Sequence, residues 1–277
     1  PVTAVMIENS PDARPQSGLK DAGVVFEAVA EGGITRFLTL FQEAQPDYIG
    51  PVRSVRPYYL SWLEAFDAPV AHAGGSPVAL AKLRADGVMD LDQFANGGSY
   101  HRVSNRYAPH NLYTSMAELL ALSKSKGKTS STFTGFARKA EKPLATPTAS
   151  AIDFSISGPL YNPHYDYDAA TNSYRRSLAG KPHVDERSGV QITPKVVIAI
   201  VVGQSIDPDR VHTAYATLGS GKAYIFQDGG VTEGTWSKAS DKEQIVFGNA
   251  NGSPLALNPG NTWISVVGSA SYVSYKP

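Results

Sequence analysis

Hydrophobic and polar positions change their rhythm about halfway along this chain. In the first part, short apolar runs alternate with segments of helical period. Val2–Ile7 is a nearly continuous apolar run and predicts a buried strand. Ile34–Gln42, rich in β-branched and aromatic residues, predicts another, while Gly23–Ala30 is apolar without a decisive period. Tyr58, Leu60, Trp62, Leu63 and Phe66 follow Pro57, which suits the first position of a helix reaching about Phe66. Ala68–Ala73 reads as a short strand. Ser76 and Pro77 then supply an N-cap and a first-turn proline for a helix through Arg84. Thr114 or Ser115 caps a third helix over Met116–Lys124, with Glu118 in its first turn.

Residues 127–150 are dominated by Lys, Thr, Ser, Pro and Ala without periodicity, and read as a linker. Beyond them the pattern is that of β-structure. Tyr165–Tyr167 and Ser173–Arg176 flank a turn-rich Asp168–Asn172 and predict a hairpin. Val196–Val202, Lys222–Gln227, Gly234–Ser237, Ile245–Phe247 and Thr262–Val267 predict further strands. The expected fold class is α/β (or α+β): an N-terminal mixed α/β domain over 1–126, the linker 127–150, and a smaller β-rich domain over 151–277.

Composition narrows the function classes. With 25 basic and 25 acidic residues the formal charge is zero, so no broad basic field exists to hold nucleic acid. No cysteine is present, which excludes disulfides and thiolate chemistry from this chain. No apolar run reaches the roughly 18 residues of a spanning helix. Any signal or lipid anchor is therefore expected upstream of Pro1. No close-set metal motif and no cofactor fingerprint appears, so neither a metal nor a cofactor is expected.

Anion binding must then come from a local constellation. Gly50-Pro51-Val52-Arg53-Ser54-Val55-Arg56-Pro57 sets two guanidinium groups ahead of a helix, where phosphate or carboxylate oxygens are recognised. Arg14 lies in the polar loop after the first strand, and Arg36 follows the Glu31-Gly32-Gly33 turn. His72, Gly74, Gly75 and Ser76 join a strand to a helix, with glycines that allow backbone donors to approach an oxyanion. His110 and Asn111 close a loop dense in Gly, Ser, His and Arg. These are the expected ligand-binding residues, together with Ser54 and Arg56. Glu31 and His110 are the candidate acid or base. Several have a plainer use: Ser76 as a cap, Glu31 as an ion-pair partner of Arg36, and Asn111 in loop hydrogen bonds.

Five ordered segments carry a family resemblance. Met6–Leu19, Glu31–Phe37, Ile49–Pro57, His72–Pro77 and Ala108–Tyr113 together resemble the YerB-like lipoproteins, a bacterial family of unknown function. Tyr165–Asp168, Gly180–Asp185 and Gly260–Ile264 are similar to that family's smaller C-terminal domain. The resemblance implies an extracytoplasmic, membrane-anchored protein of the cell envelope, touching the membrane only through its anchor, and it brings no established catalytic residues. On the residues themselves, the first expectation is binding of an anionic small molecule, or of a glycan or lipid-linked envelope precursor, in an arginine-lined cleft. The alternative is an envelope hydrolase or phosphotransferase acting on a phosphodiester, pyrophosphate or glycan linkage. Its strand, Asp/Arg loop and Arg-containing segment are loosely similar in layout to the LytR-CpsA-Psr phosphotransferases.

Overall fold

The computed structural model describes residues 1–207 and 210–277. Its first strand, β1 (Thr3–Glu8), is buried along its whole length. Both faces of β1 are covered, so its alternate side chains enter different cores: Ala4 and Met6 one, Val5 and Ile7 the other. The ambiguous run at 23–30 is a strand, β2 (Val24–Glu31), and forms a hairpin with β3 (Ile34–Phe41). Gly32 and Gly33 turn the hairpin with φ of +56° and +77°, the left-handed backbone that a two-residue turn requires.

Pro57 opens α1 (Pro57–Leu63), and β4 (Val70–His72) follows. Ser76 caps α2 (Pro77–Ala85) by accepting a hydrogen bond from the Ala79 amide. After β5 (Asp90–Asp92), α3 (Met116–Ser125) is capped by Ser115. Helices α1 and α2 cover one face of the sheet through Tyr59, Trp62, Leu63, Ala79 and Leu83. Met116 and Leu119 of α3 pack on the other.

Five strands of the second half extend the sheet begun by the first. One ten-stranded sheet runs in the order 246–248, 230–238, 219–227, 196–201, 262–267, β2, β3, β1, β4, β5. The junction is a parallel pairing of 262–267 with β2, with Thr262 opposite Val24 and Ser265 opposite Glu27. A single apolar core consequently contains Met6 and Phe26 together with Ile198, Phe247 and Ile264. A five-stranded antiparallel sheet stacks on this second half, burying Ile152, Phe154, Tyr165 and Tyr174 against Val197, Tyr224 and Phe226.

Residues 127–150, expected as a linker, carry no helix or strand, but they are docked rather than free. Phe133 and Phe136 pack beside Phe66, and Phe136 beside Phe247. Lys139 reaches Asp228 at 2.5 Å and Asn258 at 2.6 Å. Apolar burial and paired charge fix a segment that has no period of its own.

Candidate functional site

Strands β1, β2, β4, β5, 196–201 and 262–267 all run the same way. Their carboxyl ends share one edge, where open α/β sheets place their ligand crevices. Glu8, Glu31, His72 and Asp92 end strands there, and Arg36 lies there near the start of β3.

The crevice between β1 and β4 is filled by the chain itself. The two strands pair only at Ala4 with Val70 and Val5 with Ala71. Beyond that point Arg53 takes the gap: its amide donates to the Met6 carbonyl, and its own carbonyl accepts from the Ala73 amide. Val55 continues the contact by donating to the Gly74 carbonyl at 2.9 Å. Gly75 is required by this approach, since a Cβ there would lie 2.8 Å from Val55 Cγ1.

The arginines expected to face one ligand are divided by this frame. Arg56 holds Glu31 Oε2 through two nitrogens at 3.1 and 2.7 Å, and Arg36 holds Glu31 Oε1 at 2.6 Å. Both side chains are almost wholly buried. Burial pushes the Glu31 carboxyl upward, yet the two guanidinium charges outweigh it and leave it below its ordinary range. Glu31 is thereby an internal counter-ion, with both oxygens committed. The expected acid or base, Glu31, and two of the expected ligand arms, Arg36 and Arg56, are thus paired with one another. Arg56 is the N-cap residue of α1, but its side chain turns to Glu31 instead of the helix end.

Other expected ligand residues are also engaged. The Gly74 amide donates to Asp92 Oδ1 at 3.0 Å, so the anion in that glycine turn belongs to the protein. Ser54 donates to the Ala73 carbonyl, and Ser76 is the α2 cap. His72 is fully buried, with Nδ1 2.8 Å from the Gly74 carbonyl and Nε2 3.0 Å from Asp90. Asn111 accepts from Arg102 and donates to the carbonyls of Val103 and Arg106. Arg14 braces its own loop by donating to the side chain and carbonyl of Asn9, and its guanidinium covers the Tyr161 ring.

What stays open is a smaller centre around Glu8. This carboxylate is 4% exposed. Both oxygens lie 3.0 Å from His110 Nδ1, and Oε1 also accepts from Ser10 Oγ at 2.9 Å. Arg53 Nε stands 3.5 Å from the same oxygen, too far for a good hydrogen bond. That Nε is buried without a hydrogen-bond partner, while the side chain as a whole is 29% exposed. Among the described residues, Arg53 is thus the arginine of the Arg53–Arg56 segment whose guanidinium makes no hydrogen bond, its charge standing 3.5 Å from Glu8. Glu8 and Ser10 are legible as polar residues after a strand, but only the return of the His110 loop makes them a centre.

Beneath this centre lies a closed, buried hydrogen-bond circuit. Asn9 donates to Thr35, Thr35 to Glu27, and Arg176 holds both Glu27 oxygens at 3.1 and 2.9 Å. Arg176 Nε donates to His183 Nδ1, His183 Nε2 to Gln16, and Gln16 back to Asn9. His183 must be neutral to accept from Arg176, and burial with the Arg176 charge lowers its pKa well below the usual imidazole value. The circuit ties the small sheet to the carboxyl end of the large one.

Two wide clefts lie at the opposite end of the strands. One of about 990 Å³ is lined by Glu64, Asp86, Lys128 and Lys242, and another of about 910 Å³ by Gly23, Phe136 and Pro259. Near the first, Glu64, Asp86 and Asp241 gather closely enough for a metal. The Lys82 ammonium already stands among them, 3.4, 2.6 and 2.5 Å away, so the cluster carries its own cation.

Comparison with known proteins follows the same two halves. The family described as "Protein of unknown function (DUF3048)" matches with its N-terminal domain over residues 1–130 and its C-terminal domain over residues 152–264. The "Putative lipoprotein YerB" of Bacillus subtilis (strain 168) is 32% identical over 270 residues, which is 95% of this chain and 80% of that protein. The crystal structure of the YerB protein from Bacillus subtilis matches with a TM-score of 0.89 at 30% identity, over 100% of this chain and 93% of that one. Among the described residues no helix is long and apolar enough to cross a membrane.

Proposed function

The chain belongs to the DUF3048 family, that of the YerB-like lipoproteins, and we propose that it binds an anionic ligand at the Arg53–His110 centre. The name of the Bacillus relative supports an extracytoplasmic protein held at the membrane by a lipid anchor. The ligand is a phosphate- or carboxylate-bearing small molecule, or an envelope glycan or lipid-linked precursor carrying such a group. One observation carries this reading. Arg53 is clamped by its backbone between β1 and β4, yet its guanidinium makes no hydrogen bond among the described residues. Its side chain is 29% exposed and meets Glu8 only at 3.5 Å, so an incoming oxyanion would give the guanidinium the charge-assisted hydrogen bonds it lacks.

Two charge-assisted hydrogen bonds of about 1.5–3 kcal/mol each correspond to dissociation constants around the millimolar range. Contacts outside the anion would tighten this. Two exposed rings stand at the carboxyl ends of the strands: Phe94, on the turn after β5 with its ring edge over Gly74, and Tyr107, on the His110 loop, whose carbonyl accepts from the His110 amide. They suit a sugar or an apolar chain attached to the anionic group. The test is calorimetric titration with phosphate, pyrophosphate and acetate into the wild type and Arg53→Gln. Binding that weakens at least tenfold in the variant is expected. Equal affinity in both proteins, or no binding by the wild type, would remove this site.

A further inference from the structure

The Glu8–His110 pair has the geometry of a working acid–base group, and its use depends on the anion-binding reading above. An ionised carboxylate only accepts hydrogen bonds, so the 3.0 Å contacts from both Glu8 oxygens place the imidazole hydrogen on Nδ1. A neutral His110 then carries its lone pair on Nε2, which has no partner among the described residues on a side chain 22% exposed. Glu8 is itself held: Ser10 donates to Oε1, and Glu8 continues β1, whose last register pair sets it opposite Arg36. The oriented imidazole and the Arg53 guanidinium, which makes no hydrogen bond among the described residues, converge on the same Glu8 oxygen. Three distant parts of the sequence meet there, from β1, the Arg53 segment and the His110 loop. Glu31 is no rival for the role, because Arg36 and Arg56 occupy both its oxygens.

We propose that the protein hydrolyses a phosphate ester at this centre, with His110 as general base and then general acid. His110 Nε2 takes a proton from a water molecule while the water oxygen forms a bond to phosphorus. The bond from phosphorus to the ester oxygen breaks, and the proton on Nε2 passes to the departing oxygen. One water is consumed, one alcohol and one phosphate product are released, and the imidazole returns to its starting state. Arg53 offsets the negative charge on the non-bridging phosphate oxygens. Glu8 is a positioning residue: it fixes the tautomer and balances the imidazolium formed in the step. Ser10 donates to Glu8 and is accordingly not the nucleophile.

The experiment measures p-nitrophenolate release from bis(p-nitrophenyl) phosphate by the purified protein, alongside titration with inorganic phosphate. The wild type is expected to turn over. His110→Ala is expected to lose roughly 10²–10⁴-fold in rate and to recover part of it when imidazole is added. Glu8→Gln should lower kcat with little change in KM, whereas Arg53→Gln should raise KM. Phosphate binding without hydrolysis overturns this inference and leaves the binding site standing. Absence of both removes the two together. Wild-type turnover by His110→Ala, or a folded His110→Ala that imidazole does not restore, overturns the role of His110.

Discussion

Replacing Glu31 with Gln tests whether this carboxylate is the internal counter-ion of two arginines. The side chains of Arg36 and Arg56 are only 2% and 7% exposed, so the substitution leaves two desolvated cations facing a neutral amide. Removing one partner of a buried pair costs about 3–5 kcal/mol. Glu31 is 23% exposed, which moves the expected loss to the lower end, about 3 kcal/mol. At roughly 2–4 °C per kcal/mol for a protein of this size, the melting temperature should fall by about 6–12 °C. The pH dependence gives a second reading of the same interaction. The folded Glu31 carboxyl is held below its ordinary range, so its contribution is complete above the usual carboxylate pKa. It is lost as pH falls through the lowered folded value, and the gap between wild type and Glu31→Gln should close in acid. Thermal melts followed by circular dichroism at neutral and acidic pH measure both effects. A neutral-pH difference below about 0.5 kcal/mol, the scale of an ordinary surface change, would refute the counter-ion assignment.

Lys238 and Arg176 give two further tests. Burial pushes the Lys238 ammonium down to about 8, and its nitrogen donates to the carbonyls of Asp241 and Glu243. Because the folded value lies below the unfolded one of about 10.4, the unfolded chain binds more protons between them, so stability should rise from pH 8 to 10. The rise should approach about 2 kcal/mol by urea denaturation and vanish in Lys238→Met, and a wild type flat over that window would contradict it. Arg176→Met strands the fully buried Glu27 and should cost about 3–5 kcal/mol in the same assay. The double variant Glu27→Leu, Arg176→Met should recover part of that loss, and a double variant worse than the single would show that the pair is not the coupled unit.

The parts of the fold that sequence discloses are those decided within a few residues. Ser76-Pro77 and Ser115 announce their helices because a cap acts across three residues, and the unbroken apolar run of β1 follows from burial on both faces. The joining of the halves is of another kind: Thr262 meets Val24 in a parallel ladder, and nothing local in either strand specifies that neighbour. His183 and Arg176 were invisible for the same reason, since the groups they serve, Gln16 and Glu27, lie 167 and 149 residues away.

The Arg53-Ser54-Val55-Arg56 segment shows how this limit falls within a single motif. Composition marks both arginines equally, as permanent charges beside prolines. The fold separates them by what each backbone is doing. Arg53 is hydrogen-bonded on one side to β1 and on the other to the exit of β4, which holds it at the strand ends beside Glu8. Three residues on, Arg56 has left that ladder to become the N-cap residue of α1, and its side chain reaches the carboxylate that the Gly32–Gly33 hairpin presents. An anionic ligand would compete with Glu31 for Arg56 but with nothing equally close for Arg53. Charge alone predicts two equivalent binding arms, and backbone pairing gives only Arg56 a close internal partner.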